Sequence, residues 1–406
     1  MRSPVVVLVV GCVLVAAACA DPSVAETQPT TTIAATAAAV TTSTTSSRTG
    51  TTTSTSSTTS TTSTTTPPST STSTTTTTMT TTTSTTSTST TTTTVEPLPN
   101  PALPSTNRAF DDLARANPAA TMTVVRDGRS VLDRASGSTI DGAPATSDSP
   151  MVVASVSKLV TGLMIARLDE AGWIDVDAPI PWNEITAVTH PGWADVTPRE
   201  LLLHTSGMAV ARSEWFRGGI DCAGFLPTLL DRPPSNTRGR WTYSNGNYCA
   251  LGLLVEQATG LTLGAAAQAL LFDPLGLSGV HLTTDGQLPS DVEYRKGVAR
   301  LSRLGGAGTF IVSTADVAAM LASATAADLE VMTWPGLIVD QYGWGHTGTV
   351  DGALACAWVL EGGRTVVSAT VSGRSPSTGG GVCDHVVPAV ADDLGIGQGV
   401  PDRSPP

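Results

Sequence analysis

The feature that most limits how this chain can fold is a long tract of threonine and serine between residues 30 and 94. The tract holds few apolar side chains, so folding it would bury too little surface to offset the entropy lost on ordering the backbone. We therefore predict that residues 21–105 form a disordered linker, which could carry glycans. The globular domain is predicted to span residues 106–396, which is enough for one large core, and residues 397–406 form a disordered tail.

The first twenty residues predict a signal peptide for export. Arg2 precedes an apolar run over Val5–Val15 that is too short to span a bilayer comfortably. Small residues then lead to Cys19, which resembles a bacterial lipobox, where the cysteine carries lipid and becomes the new N-terminus. Ala18–Ala20 also fits ordinary signal cleavage. We predict a lipoprotein held at the outer face of the cell membrane or in the cell wall only through its lipid, with simple secretion as the alternative.

Charge and cysteine content narrow the possible ligands. The net charge of −12 and the lack of any basic run argue against nucleic acid as a partner. Of six cysteines, two fall in the export signal, and the other four predict two disulfides in an oxidising compartment. Three pairings are possible, and metal binding is the other interpretation, although no C-x-x-C or histidine pair supports it. We expect no metal or organic cofactor. Proximity in sequence favours the pairs Cys222–Cys249 and Cys356–Cys383.

The patterns of apolar and turn residues place strands at both ends of the domain and helices between them, an α+β arrangement. Asp127-Gly128 predicts a type I′ turn within a hairpin over Met122–Gly137. Apolar residues at helical spacing predict a helix over Ser155–Ala171 with one buried face, ended by Gly172. The remaining predictions are helices at Pro198–His204, at Asn247–Thr259, after Ser313 and at Asp384–Leu394, and strands at Gly336–Asp340, Ala353–Leu360 and Thr365–Ser372.

Ser155 and Lys158 are the first pair of residues that could carry out chemistry. They lie three positions apart at the predicted helix start and would therefore share one helix face. A neutral lysine amine can take the proton of a serine hydroxyl, and backbone N–H groups there can stabilise negative charge. The chain has only two lysines among its 22 Lys and Arg residues, and arginine cannot act as a base. Ser157 is the alternative nucleophile, but it is predicted to point off the shared face.

Two further motifs follow along the chain. Tyr243-Ser244-Asn245 precedes an apolar helix and offers a phenol for proton transfer and an amide for a substrate peptide group. His346-Thr347-Gly348-Thr349 offers an imidazole and hydroxyls that could receive a carboxylate, and a glycine that lets a ligand approach the backbone. Each motif alone also fits a structural role, as a turn-forming asparagine or a histidine beside a glycine turn. The order of all three motifs along the chain is stronger evidence for a catalytic role than any one motif alone.

That order, S-x-x-K, then Y-x-N, then H-T-G, is similar to the order in serine β-lactamases and low-molecular-weight DD-peptidases. The chain resembles the class C β-lactamase and D-alanyl-D-alanine carboxypeptidase family, closest to its carboxypeptidase branch. The resemblance covers about residues 122–392 and includes the segments Leu201–Met208 and Gly305–Gly308. It implies a β-lactamase/transpeptidase-like α+β fold, in which helices flank an antiparallel sheet and a mainly helical subdomain is added.

The resemblance also implies a role for each matching residue. Ser155 attacks a carbonyl and is acylated, while Lys158 and Tyr243 share the proton transfer, either of them being a candidate base. Asn245 holds the substrate amide. A cationic His346 is also expected to help lower the pKa of Lys158. Backbone N–H groups of Ser155 and Thr349 would form the oxyanion hole, and the opposite wall of the site would consist of His346, Thr347 and Gly348.

These roles predict an enzyme of DD-peptidase type acting on peptidoglycan peptides or related small amides and esters. A β-lactamase or a carboxylesterase of the same family is the alternative enzyme, and a non-catalytic penicillin- or peptide-binding module is the alternative outside enzymes. The segment Gly305–His346 contains no Lys or Arg, where carboxypeptidase-like members often supply an arginine for a terminal carboxylate. This departure leaves ester hydrolysis open, because the fold alone does not select the substrate.

We expect Cys19→Ser to release the protein from membranes into the medium, because the substitution removes the thiol that would carry the lipid. Cell fractionation followed by immunoblotting measures this. Cys12→Ser, which changes a cysteine inside the apolar run, is the matched control and should leave the distribution unchanged. Membrane association that persists in Cys19→Ser would contradict lipidation at this residue.

Overall fold

The structure is a computed structural model, and it describes residues 101–187, 189–210, 220–277, 279–332, 338–374 and 381–397. The predicted signal peptide with Cys19, the linker up to residue 100 and the tail after residue 397 lie outside the described residues. The helices are α1 (Pro104–Ala116), α2 (Ser157–Glu170), α3 (Trp182–Ile185), α4 (Pro198–Leu202), α5 (Cys222–Leu230), α6 (Asn245–Thr259), α7 (Leu263–Ala267), α8 (Thr314–Ala322), α9 (Ala326–Met332) and α10 (Val382–Leu394). The strands are β1 (Ala119–Arg126), β2 (Arg129–Ser136), β3 (Met151–Val152), β4 (His281–Leu282), β5 (Phe310–Val312), β6 (Ile338–Val339), β7 (Gly343–Val350), β8 (Ala353–Leu360) and β9 (Thr365–Ser372).

The main sheet contains six antiparallel strands in the order β2-β1-β9-β8-β7-β6. The β1–β2 hairpin turns at Asp127 and Gly128, whose φ angles of 51° and 72° fit the predicted type I′ turn. Strand β1 also pairs along its whole length with β9, with Ala119 opposite Ser372. Early and late strands therefore lie side by side, as their positions in the sequence predicted.

Both faces of this sheet are covered. On one face, α1 and α10 pack on the strands through residues such as Phe110 and Val386, which contact the cluster containing Met122. On the other face, α2 and α8 belong to a second and larger apolar cluster. Side chains alternate between the two clusters along β8, because successive residues of a strand point to opposite faces. A disulfide between Cys356 in β8 and Cys383 in α10 fastens the outer helix to the sheet.

Helix α2 is buried on nearly all sides, and the prediction of a single buried face was wrong. Its residues from Ser157 to Ala166 are all buried, because the helix packs against other helices as well as the sheet. Gly162, for example, faces Met332 of α9. The predicted stop at Gly172 is observed: this residue has φ 72°, and the N–H of Trp173 donates to the carbonyl of Leu168 at 2.8 Å.

Several elements differ from the sequence prediction. Helix α1, strand β7 and a small sheet in the order β3-β5-β4 were not predicted. Helix α6 begins at Asn245, two residues earlier than expected, where Ser244 caps its first turn. Of the predicted strand Gly336–Asp340, the described part forms β6, and residues 336 and 337 lie outside the described residues. The predicted helix after Ser313 is α8, and Ser313 caps it.

Among the described residues, no single helix is both long and apolar enough to cross a membrane. Helix α6 and the segment Leu263–Leu275 reach that length and apolarity only together, and a bend of 75° separates them.

Candidate active site

Ser155 lies in a 3-10 turn over Ala154–Val156, immediately before α2, and not in the first turn of the α-helix as predicted. The preceding residue, Ala154, is buried and has a φ of 48°, a left-handed conformation that costs a non-glycine residue about 1–2 kcal/mol. Strand β7 packs against this turn at Gly348, where an added Cβ would lie 2.2 Å from the carbonyl oxygen of Val153. The close approach that requires glycine here is therefore between two backbone segments.

Lys158 is buried beneath Ser155, with only 1% of its surface exposed. Its Nζ lies 3.1 Å from Ser155 Oγ, 2.9 Å from Asn245 Oδ1 and 2.7 Å from the carbonyl oxygen of Ala307. Burial lowers the pKa of Lys158, and the phenol of Tyr243 opposes this shift. Asn245 Oδ1 and the carbonyl oxygen of Ala307 can only accept hydrogen bonds, so a neutral Lys158 amine would donate both its hydrogens to them. Its lone pair is then left for the proton of Ser155.

Tyr243 approaches Ser155 from another side. Its hydroxyl donates to Ser155 Oγ at 3.0 Å, which leaves the proton of Ser155 free to point at Lys158. This arrangement of hydrogens lets Lys158 act as the base while Tyr243 supplies a proton. The three side chains are thus brought together as the motif order predicted, from positions up to 88 residues apart.

His204 holds the segment that carries Tyr243 and Asn245. The backbone N–H of Thr242 donates to the carbonyl of His204 at 2.8 Å, and the N–H of Ser244 donates to its Nδ1 at 3.3 Å. The side-chain amide of Asn247, one turn into α6, lies 2.9 Å from the same Nδ1. Burial lowers the pKa of His204 to about 2, so the ring is a neutral acceptor. This residue supports the site by holding that segment, and a ring with so low a pKa is not suited to act as the base.

His346 is also buried and neutral. Its Nδ1 lies 2.6 Å from the carbonyl oxygen of Thr347, which can only accept, so Nδ1 carries the hydrogen and Nε2 carries a lone pair. Nε2 has no hydrogen-bond partner among the described residues. Burial, and then the positive charge that Lys158 carries when protonated, lower the pKa of His346 to about 3. The expectation of a cationic His346 was wrong, and in this tautomer its Nε2 cannot donate to a carboxylate.

The residues predicted to meet substrate differ in exposure. Thr349 of β7 is exposed, Thr347 and Asn245 are half-buried, and Gly348 is buried against the turn that carries Ser155. Asn245 Oδ1 accepts a hydrogen bond from Lys158. This side chain can therefore bind a substrate only through its Nδ2 hydrogens, which suit a carbonyl oxygen. The oxyanion hole at the N–H groups of Ser155 and Thr349 stays a prediction.

The carbonyl of Ala307 is a contributor that sequence reasoning missed. Its approach to Lys158 depends on Gly306, where an added Cβ would lie 2.7 Å from the carbonyl oxygen of Tyr248 and 2.8 Å from Thr161 Oγ1. The same Thr161 hydroxyl donates to the Gly306 carbonyl at 2.8 Å. The signal in the sequence was the run Gly305-Gly306-Ala307-Gly308, whose glycines permit this close packing.

The cysteines are joined in the pairs that sequence proximity favoured, Cys222–Cys249 and Cys356–Cys383. The Cys222–Cys249 disulfide joins α5 to α6. It contacts the glycine run at Gly305, where an added Cβ would lie 2.9 Å from Cys222 Sγ. Within the described part of the chain, no group of three or more His, Cys, Asp or Glu residues could hold a metal ion.

A sequence model of the family described as Beta-lactamase matches residues 106–387, which include every residue of this site. The chain belongs to the beta-lactamase family. Esterase EstB of Burkholderia gladioli is 33% identical over 212 residues, which cover 44% of this chain and 53% of that protein. Penicillin-binding protein 4 of Amycolatopsis lactamdurans is 30% identical over 208 residues, which cover 46% of this chain and 50% of that protein. The chain thus spans about half the length of these relatives.

A solved structure supports the fold. The D-amino acid amidase from Ochrobactrum anthropi SV3 matches with a TM-score of 0.57 and 19% identity, covering 72% of this chain and 99% of that one. At this identity the likeness concerns the fold alone. The predictions of family and of fold class are confirmed.

We expect Lys158→Arg to slow acylation by about 10²–10⁴-fold, the usual contribution of a positioned general base. Because burial lowers the pKa of Lys158, the neutral amine forms as pH rises through that value, and wild-type activity should rise with it. The rising limb should vanish in Lys158→Arg, since arginine keeps its proton. Stopped-flow release of p-nitrophenol across a pH series measures both effects.

The matched control for this substitution is Lys296→Arg, because Lys296 is exposed and pairs with Asp351 at 3.2 Å. It should leave rate and pH profile unchanged. A Lys158→Arg variant that retains the wild-type rate and the same rising limb would exclude Lys158 as the base and leave Tyr243.

The two disulfides provide a matched pair of variants, because both span a sequence separation of 27 residues. Chain entropy then predicts that removing either one lowers the free energy of unfolding by a similar amount, about 3–4 kcal/mol. We expect Cys222→Ala/Cys249→Ala also to lower kcat about 10–100-fold, since it loosens the support behind Lys158. Cys356→Ala/Cys383→Ala should keep the kcat of the folded fraction. Urea unfolding and active-site titration measure both, and equal kcat losses would contradict the positioning role.

Proposed function

We propose that this protein is a serine hydrolase that forms an acyl-enzyme at Ser155 and acts on neutral esters and amides. The observation that carries the proposal is the position of Ser155 Oγ between Lys158 Nζ at 3.1 Å and Tyr243 OH at 3.0 Å. Burying a lysine amine is costly unless it is neutral or well paired. A module that only binds a ligand gains nothing from such an amine beside a serine hydroxyl, whereas a nucleophile requires it.

The proposed reaction has two steps. Ser155 Oγ bonds to the substrate carbonyl carbon while its proton passes to Lys158. The bond from that carbon to the leaving group then breaks, and the leaving atom takes a proton from Tyr243, which recovers one from Lys158. Water attacks the acyl-enzyme in the same way and releases the acid, with the proton returned to Ser155.

The site suits a neutral substrate better than a terminal carboxylate. Lys158 donates its two amine hydrogens to Asn245 and Ala307 and accepts from Ser155, so it has no hydrogen left for a carboxylate, and Nε2 of His346 is an acceptor. The segment Gly305–His346 adds no Lys or Arg. These features favour hydrolysis of esters, and the name of the Burkholderia gladioli relative, an esterase, agrees with this choice.

A DD-peptidase acting on peptidoglycan peptides is the second candidate. The Nδ2 hydrogens of Asn245 suit a peptide carbonyl, and the Amycolatopsis lactamdurans relative is named a penicillin-binding protein. Turnover of β-lactams is the remaining activity to be tested, because another relative, from Mycobacterium tuberculosis, is named an esterase/beta-lactamase.

We also propose that the protein acts outside the cell membrane, held there by lipid on Cys19 and a long linker. The apolar run before Cys19 supports export. The two disulfides support it as well, since such bonds persist mainly in oxidising compartments. Peptidoglycan and small esters would then be within reach of the domain.

The test uses the full chain and its Ser155→Ala variant with p-nitrophenyl acetate, a peptide ending in D-alanyl-D-alanine, and a fluorescent penicillin. We expect the wild-type protein to hydrolyse the ester, and Ser155→Ala to be slower by about 10⁴–10⁶-fold. Release of D-alanine should be slow by comparison.

Other results would change the proposal in defined ways. Stable penicillin labelling together with fast release of D-alanine would establish the DD-peptidase instead, and rapid turnover of penicillin would establish a β-lactamase. Covalent labelling that survives in Ser155→Ala would move the nucleophile to another residue, Ser157 first. No Ser155-dependent reaction with any of the three compounds would favour a binding module.

A further inference from the structure

We propose that Trp241 determines the specificity of the site by binding an apolar, preferably aromatic, leaving group. The inference rests on the proposed function and names the class of substrate within it. Trp241 is 51% exposed, although a tryptophan side chain is among the largest apolar groups that a protein can bury. One exposed aromatic residue is by itself unremarkable, so its position relative to Ser155 carries the argument.

Trp241 lies one aromatic ring away from the reacting groups. The centroid of its ring is 6.4 Å from that of Tyr243, and the hydroxyl of Tyr243 is 3.0 Å from Ser155 Oγ. It also packs edge-on against the buried ring of His204, with centroids 6.3 Å apart and an interplanar angle of 84°. Part of the indole is thus covered by the protein, while about half of its surface stays open to a ligand.

The backbone on both sides of Trp241 is fixed. The N–H of Gly239 donates to the carbonyl of Thr205 at 2.7 Å, and the N–H of Thr242 donates to the carbonyl of His204 at 2.8 Å. The backbone is therefore fixed before any ligand arrives, and the contacts of the ring with His204 and Tyr243 limit its rotation, which lowers the conformational entropy that binding costs. A fixed apolar surface of this kind can discriminate between substrates by size and shape.

The leaving group is the part of the substrate that comes nearest to Tyr243. After Ser155 attacks, the leaving atom needs a proton, and in this structure Tyr243 is the hydroxyl that donates to the reacting oxygen. The leaving atom must come within about 2.6–3.2 Å of that donor. In the proposed arrangement the rest of the leaving group extends past the ring of Tyr243 towards Trp241, whose aromatic surface is exposed, whereas the nearer rings of His204 and His346 are buried.

The experiment compares phenyl acetate with 2-naphthyl acetate, two esters with the same acyl group and leaving groups of similar acidity but different apolar area. We expect Trp241→Ala to reduce the preference for the naphthyl ester, measured as a ratio of kcat/KM values, by about three- to tenfold, the usual contribution of an aromatic contact. Trp241→Phe should retain most of the preference. A variant that merely displaced Tyr243 would slow both esters alike and leave the ratio unchanged.

Trp173→Ala is the matched control, because Trp173 is 62% exposed and follows the far end of α2. That helix has 14 residues, which places Trp173 about 20 Å from Ser155. The ratio should not move in this variant.

A second series varies the acyl chain of p-nitrophenyl esters from acetate to octanoate. We expect the chain-length profile of Trp241→Ala to match that of the wild type. An unchanged naphthyl preference in Trp241→Ala, or a loss confined to the acyl series, would overturn the proposal. Absence of Ser155-dependent hydrolysis of phenyl acetate by the wild type would instead be a failure of the proposed function.

Discussion

The burial of the Lys158 amine is the interaction on which the rest of the site depends. An amine removed from water needs partners for its hydrogens, and a base also needs its lone pair directed at one chosen proton. Asn245 and the carbonyl of Ala307 meet the first requirement, at 2.9 and 2.7 Å, and Ser155 meets the second. The glycine run before Ala307 and the capped start of α6 can both be understood as means of bringing these acceptors to one buried point.

The same burial explains why the site has so little charge. His204 and His346 lie close to Lys158 and, like it, are buried, so each favours its uncharged form. A cationic imidazole here would lose its hydration and would also be repelled by a protonated Lys158, and both effects disfavour the charged form. Such a site disfavours any further charge, which agrees with the neutral substrate that we propose.

Sequence reasoning recovered the elements that have strong local signals. The apolar run Ala353–Leu360 and the turn at Asp127-Gly128 were found with their observed positions, because burial on both faces and a type I′ turn each leave a clear pattern. Strand β7 was missed because its glycines resemble a loop, yet Gly348 is required by contact with another part of the chain. The carbonyl of Ala307 and the neutrality of His346 depend on tertiary packing, which no spacing of residue types expresses.

The pairing of β1 with β9 has a consequence for how the protein matures. Ala119 is opposite Ser372, so β1 cannot pair with β9 until nearly the whole domain has been synthesised. Sheets that join distant parts of a chain form slowly, because a long loop must close before any contact stabilises it. Ser155 also draws a partner from Tyr243, and Lys158 draws one from Ala307, both of which come much later in the chain. The candidate active site of a nascent chain is therefore incomplete until segments as far as 149 residues after Lys158 have been synthesised and have folded against it.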